Sequence, residues 1–172
     1  MMSAPDTERR GGDDPWLRID LGSQTLQLLR GEHVEVEYPV STGVNGPGED
    51  EGSGRTPRGW HVIRARIGEG EPLGAVFVGR RPTGEVHSPE LSERFPGRDW
   101  ILSRILWLSG LEPGRNRLGS RDTMRRFIYI HGGPDDAPLG VAASKGCVRM
   151  RNGDVVDLFE RVPVGTRVLI VE

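Results

Sequence analysis

Glycine and proline cut this sequence into short pieces. The chain carries 25 glycines and 13 prolines among 172 residues. So many breakers point to many turns, hence to many short strands rather than a helical bundle. The length suits one domain with a real core. A single cysteine excludes an internal disulfide, so packing alone must hold the fold.

The strand pattern can be followed along the chain. Trp16–Leu21 and Gln24–Arg30 are Leu- and Ile-rich runs separated by Gly22-Ser23, a hairpin signal. His33–Val40 alternates Val34, Val36, Tyr38 and Val40 against polar neighbours, a strand with one wet face. Ser41–Gly59 holds six glycines and two prolines in nineteen residues; loops of this length in compact domains are usually functional or mobile. Trp60–Ile67 and Ala75–Gly79 read as strands. Trp100–Leu108 reads as a strand or a short helix, because a continuous apolar run does not separate the two. Phe127–His131 is a strand by its aromatic and β-branched content. Asn152–Val162 puts Val155, Val156, Leu158, Phe159 and Val162 on one helical face, with Asn152 or Asp154 as the cap. Gly165–Val171 is the closing strand. Arg115, Arg117, Arg121, Arg125 and Arg126 crowd one segment. They form either a solvated basic loop or a rim whose guanidiniums meet substrate carboxylates.

Charge and targeting exclude some classes. A formal net charge of −2 gives no electrostatic reason to expect nucleic acid or an anionic membrane as partner. No window approaches the roughly 18 apolar residues of a membrane span, so no membrane insertion is expected. Residues 1–14 read as a disordered leader without the apolar run of a secretory signal. The expected location is therefore cytoplasmic, or periplasmic if the true start lies upstream of Met1.

The chemistry concentrates in Ile130–Met150. Cys147 is preceded by Ser144, Lys145 and Gly146 and followed by Val148 and Arg149. Nearby cations favour a thiolate, and Gly146 lets the backbone turn its N–H groups toward a substrate carbonyl. His131 stands sixteen positions before Cys147 and is the natural base. Its ring needs an acceptor on one nitrogen, and the Gly132 carbonyl is a reasonable source. The bland alternatives are a small buried cysteine and a structural histidine. A zinc site from Cys147, His131 and Asp135 or Asp136 lacks ligand-pair spacing. No Gly-Lys-Ser/Thr loop is present. No cofactor or metal is expected.

"HGG…LG…ASKGCVRMRNGDVVDLFERVPVGTRVLIV" resembles the core of the YkuD-type L,D-transpeptidases, whose signature is His-Gly, a spacer, and Ser/Thr-His-Gly-Cys. The resemblance extends upstream through "VSTG" (40–43) and "TPRG" (56–59). Lys145 stands where most members have His, and Gly133 where Thr is common. The resemblance implies a mainly-β sandwich with one or two short helices, spanning 15–172, with 80–126 as a variable lid. It implies cysteine acyl transfer on the meso-diaminopimelate–D-Ala bond of peptidoglycan stem tetrapeptides or muropeptides. In that scheme Cys147 attacks, His131 shuttles the proton and Gly132 orients the imidazole. The N–H groups of Gly146 and Cys147 hold the oxyanion. Arg149, Tyr129, Ser144 and Lys145 contact substrate, and carbapenems react with the thiol. The expected activity is a cytoplasmic L,D-carboxypeptidase of cell-wall recycling. The alternatives are an exported cross-linking transpeptidase and an inactive peptidoglycan-peptide binder.

Overall fold

A computed structural model describes residues 14–172; the leader expected over 1–14 lies outside the described residues except for Asp14. Strands β1 (Pro15–Asp20), β2 (Thr25–Arg30) and β3 (His33–Pro39) form the antiparallel meander that the opening alternation predicts. Then follow β4 (Gly59–Ile67), β5 (Ala75–Val78), β6 (Arg81–Val86), helix α1 (Pro89–Arg94) and β7 (Ile101–Gly110). The chain ends with β8 (Tyr129–Gly132), β9 (Val148–Met150), helix α2 (Asn152–Arg161) and β10 (Arg167–Val171).

The fold is mainly β, as expected. Its strands belong to one mixed sheet, in the order β3-β2-β1-β10-β4-β7-β5-β6, with β8 branching from β7 and β9 pairing β8. Its layering comes from branching and folding within that sheet. Leu17 and Ile19 of β1 and Leu26 and Leu28 of β2 share one core with Ile130 of β8, Val148 and Met150 of β9, and Val155, Leu158 and Phe159 of α2. Among the strand pairs of the described residues, only β1–β10 and β8–β9 run parallel. Parallel neighbours cannot be joined by a tight hairpin, so the connection from β8 to β9 is long, and it carries the Cys147 turn.

Three details differ from the sequence reading. Of the run Trp100–Leu108, open between strand and helix, all but Trp100 belongs to β7, which pairs with β4, β5 and β8. The expected lid segment, 80–126, therefore contributes a central strand as well as the β6–α1 excursion. The α2 N-cap is Arg151, which has extended backbone and no side-chain cap bond. Asp135 Oδ1 instead accepts from the Asn152 N–H at 3.1 Å, so the cap comes from another loop. Asn152 turns inward: its Oδ1 accepts from Ser103 Oγ at 2.6 Å and its Nδ2 donates to the Gly133 carbonyl at 3.0 Å. Asn152, one of the two residues expected to cap α2, instead ties β7 to the chain just after β8, and the other, Asp154, lies inside the first turn.

His61 is fully buried in β4. Its Nδ1–H donates to the Gly59 carbonyl at 3.0 Å, which leaves Nε2 to accept from Thr123 Oγ1 at 2.9 Å. Burial lowers its pKa to about 4, whereas an unfolded histidine titrates near ~6.5. Between those values the unfolded chain binds the extra proton, so stability falls as pH falls. We expect acidification from pH 7 to pH 4 to cost on the order of 3 kcal/mol through this residue. Urea melts across that range should show a shallower pH slope in His61→Asn than in wild type; equal slopes would exclude His61 as the source.

Candidate active site

Strand β8 has four residues, all buried, and is paired along both edges. Tyr129, His131 and Gly132 face Trp107, Ile105 and Leu102 of β7; Ile130, His131 and Gly132 face Val148, Arg149 and Met150 of β9. Side chains alternate along a strand. Ile130 points into the main core, so Tyr129 and His131 share the opposite face. On β9 Val148 likewise enters the core, which leaves Cys147 and Arg149 on that same face. Cys147 packs there against the buried cluster of Ala75, Phe77, Ile105 and Tyr129.

The sulfur is held by backbone. Cys147 Sγ accepts from the Tyr129 N–H at 3.3 Å and donates to the Phe127 carbonyl at 3.4 Å. Burial pushes the thiol up to about 12; the Tyr129 N–H works the other way, Asp99 adds to the rise and Arg126 opposes it. His131 is 4% exposed. Its Nδ1 lies 2.6 Å from the Gly132 carbonyl; a carbonyl only accepts, so Nδ1 carries the proton and Nε2 is the basic nitrogen. Burial lowers the His131 pKa, against the Gly132 bond and the Asp99 field. Burial thus disfavours charge on the thiol and on the imidazole alike.

Glycines make this geometry possible. A Cβ on Gly132 would meet the Leu102 carbonyl oxygen at 2.6 Å and Asn152 Oδ1 at 2.7 Å. A Cβ on Gly133 would meet Arg149 Cδ at 2.6 Å, so the glycine there admits the Arg149 stem. Gly146 has φ +123, in the left-handed region that disfavours side chains. Its carbonyl accepts from Thr56 Oγ1 at 2.9 Å, while Thr56 Oγ1 accepts from the Gly43 N–H at 2.8 Å. One buried hydroxyl therefore ties the long 41–59 loop to the Cys147 turn.

This arrangement can support nucleophilic catalysis: a thiol in a fixed turn and an oriented imidazole share one face of a rigid strand pair. A scan against protein families matches the L,D-transpeptidase catalytic domain, YkuD, over residues 14–170. The chain belongs to the YkuD family of L,D-transpeptidase catalytic domains. It is 27% identical over 155 residues to YkuD of Bacillus subtilis (strain 168), covering 90% of this chain and 64% of that protein. It is 45% identical over 53 residues to YqjB of the same organism, covering 31% of this chain and 30% of that protein. The chain thus spans less than two thirds of the length of these relatives. Among solved structures, it resembles L,D-transpeptidase 3 from Mycobacterium tuberculosis in complex with a faropenem-derived adduct. That match has a TM-score of 0.56 and 16% identity, covering 92% of this chain and 60% of that one; it speaks to the fold alone.

Within this YkuD-family domain, the residues expected to touch substrate divide. Tyr129 and Arg149 stand on the Cys147 face. Ser144 is buried, its Oγ donating to the Cys147 carbonyl at 2.6 Å and accepting from the Gly146 N–H at 3.2 Å. It shapes the turn and occupies the Gly146 amide that was expected to face an oxyanion. Lys145 is exposed, and the charges that bear on the thiol are Asp99 and Arg126. The arginine cluster mostly knits loops together: Arg115 pairs with Glu112 and Glu49, Arg121 with Asp50, and Arg126 Nη2 donates to the Arg55 carbonyl at 2.6 Å. Asp135, weighed as a zinc ligand, is engaged by Asn152; among the described residues no cluster of three or more His, Cys, Asp or Glu could hold a metal. Thr56, Arg80, Asp99 and Arg126 gained no individual role in the sequence reading. Only Thr56, through "TPRG", left a motif signal.

The raised thiol can be measured. An ordinary cysteine titrates near ~8.5, so a thiol at about 12 carries far less thiolate at pH 7.5. Iodoacetamide should alkylate resting Cys147 at least ~100-fold more slowly than free cysteine at that pH. The rate should keep rising about tenfold per pH unit through pH 10. A plateau with a midpoint below pH 8 would instead reveal a resting thiolate–imidazolium pair.

Proposed function

We propose that this domain is a cysteine acyl-transfer enzyme cleaving the meso-diaminopimelate–D-Ala bond of peptidoglycan stem tetrapeptides. The observation that carries this reading is the placement of His131 on β8 and of Cys147 at the entry to β9 on one face of that strand pair, with His131 Nε2 left as an acceptor by the Nδ1–Gly132 bond. In acylation His131 Nε2 takes the thiol proton, Sγ bonds to the carbonyl carbon, the C–N bond breaks, and the proton passes to the leaving amine. In deacylation water gives a proton to Nε2, its oxygen bonds to the acyl carbon, the C–S bond breaks, and the proton returns to sulfur. Of the two amides first considered for the oxyanion, that of Cys147 is the better candidate, because Gly146 would have to leave Ser144.

Water is the main acceptor in this reading, which makes the activity L,D-carboxypeptidase. Cys147 is partly exposed, so solvent reaches its thioester, and a thioester is resolved by any nucleophile that reaches it. We place the activity in the cytoplasm, where a reducing environment suits a lone thiol. One observation favours the cross-linking alternative. Asp99 is exposed and its field acts on both Cys147 and His131, and a carboxylate there attracts a cationic amine. Solved structures of similar fold are titled as complexes with imipenem and a faropenem-derived adduct, and we extend that reactivity to Cys147.

Four measurements test this reading. Mass spectrometry of a tetrapeptide digest should show free D-Ala and tripeptide, and a second stem peptide in excess should not divert most of the product. Predominant cross-linked dimer would restore the transpeptidase reading. Intact-mass spectra after imipenem should show a covalent adduct in wild type and none in Cys147→Ala. His131→Ala should lower kcat/KM by ~10²–10⁴-fold, and exposed Lys145→Ala far less; comparable losses would reject this division of roles. Because the His131 pKa is lowered, the acid limb of wild-type kcat/KM should lie below the ordinary histidine value of ~6.5.

A further inference from the structure

Arg80 is a half-buried cation beside the nucleophile. It occupies the two-residue turn between β5 and β6, where Gly79 has φ +55 and Arg80 φ +64. A turn with both residues at positive φ favours Asn-Gly, so arginine stands where glycine would be easier. The guanidinium lies 4.7 Å from the Trp107 ring centroid and 5.0 Å from that of Phe127. Nη1 donates to Tyr129 Oη at 3.1 Å. Phe127, itself at φ +56 and 52% exposed, supplies the outer wall. Among the described residues Arg80 makes no ion pair, and Tyr129 occupies only one edge of a five-donor fork.

Tyr129 joins this cation to the chemistry, because its amide touches Cys147 Sγ and its hydroxyl touches Arg80. One tyrosine therefore links the guanidinium and the attacking sulfur, its hydroxyl holding the first and its amide the second. A carboxylate on the residue next to the scissile carbonyl lies one residue step from the attacked carbon, ~3.8 Å between Cα atoms, and the unused edge of the guanidinium offers it a paired, charge-assisted hydrogen bond. We propose that Arg80 receives a substrate carboxylate, that of the C-terminal residue released when the thioester forms. This rests on the acyl-transfer reading above and adds the reason for exopeptidase specificity: the fork rejects a chain that continues or ends in a neutral amide.

Binding isolates this claim from turnover. Calorimetry on Cys147→Ala protein should find a meso-diaminopimelate tetrapeptide binding about 10- to 100-fold more tightly as the free acid than as its C-terminal carboxamide. Adding Arg80→Gln should weaken the acid to the level of the carboxamide and leave the carboxamide unchanged. Arg80→Lys, which keeps the charge without the planar fork, should recover only part of the difference. A third ligand, amidated on the diaminopimelate side chain, separates the two carboxylate sources. Equal weakening of all ligands by Arg80→Gln, a loss that follows the side-chain carboxylate, or no binding of any form would overturn the assignment. D-Ala release by the intact enzyme is scored separately. No release alongside a persisting Arg80 coupling would reject the hydrolytic reading alone.

Discussion

Strand β8 is only four residues long, yet β7 and β9 pair with it on both sides. The candidate site is a consequence of that double pairing. It fixes His131 and Gly132 in extended backbone, so the Gly132 carbonyl stands where Nδ1 can reach it. It sets the start of β9 beside Tyr129, which brings the Tyr129 N–H to the sulfur. A four-residue strand cannot stabilise itself. Its rigidity is borrowed from the core behind it, where Ile130 and Val148 pack with α2 and the β1–β2 hairpin. The helix matters to the chemistry because Asn152, its first residue, holds the Gly133 carbonyl and Ser103.

The electrostatics follow from the same burial. Partial burial disfavours charge on either partner, so the thiol rises and the imidazole falls. Asp99 raises both, which favours imidazolium while disfavouring thiolate; Arg126 lowers the thiol and Arg149 lowers the imidazole. No single neighbour creates an ion pair at rest. Substrate must therefore supply the remaining drive, through the oxyanion that develops on its carbonyl. A resting thiol of this kind resists adventitious alkylation and oxidation, both of which need thiolate.

Much of the sheet was legible from alternation, apolar runs and turn residues. β3 and β4 carry period-two patterns, β1 and β2 showed as Leu- and Ile-rich runs about a Gly-Ser turn, β10 as an apolar closing run, and α2 carries its apolar stripe at helical spacing. β6 was missed because its sequence, Arg-Pro-Thr-Gly-Glu-Val, has no apolar face to read; five of its six residues are exposed. α1 was missed although a signal was present: Ser88 accepts from the Leu91 N–H at 3.1 Å and Pro89 opens the helix, a cap-then-proline start. β7 stayed open because it is buried on both faces, which erases the alternation that separates strand from helix. In the site, the Cys147 turn and the strand ending at His131 were visible as a motif. Arg80, Thr56 and Asp99 come from three distant segments, and only the fold brings them to the sulfur. Ser144 was misread as facing substrate because spacing shows which residues flank a thiol, but not which way they point.

Strained backbone gathers around the same strands. Arg80, Ser103 and Phe127 all hold positive φ, a conformation that costs a non-glycine residue of order 1–3 kcal/mol. Each has a compensating contact. Ser103 Oγ accepts from the Gly74 N–H and donates to Asn152. Arg80 and Phe127 stabilise each other through the cation–π stack that includes Trp107. The Phe127 conformation also turns its carbonyl toward Cys147 Sγ, so relaxing it would release the sulfur as well as the ring. The β7 irregularity at Ser103 coincides with the register shift between Leu102 and Ile105, the stretch that faces His131 and Gly132. A straight, unstrained β7 would keep a uniform ladder through that stretch and would present the His131–Gly132 segment differently. The local cost is thus coupled to the placement of the imidazole, and the packed core beneath β8 is what makes that cost tolerable.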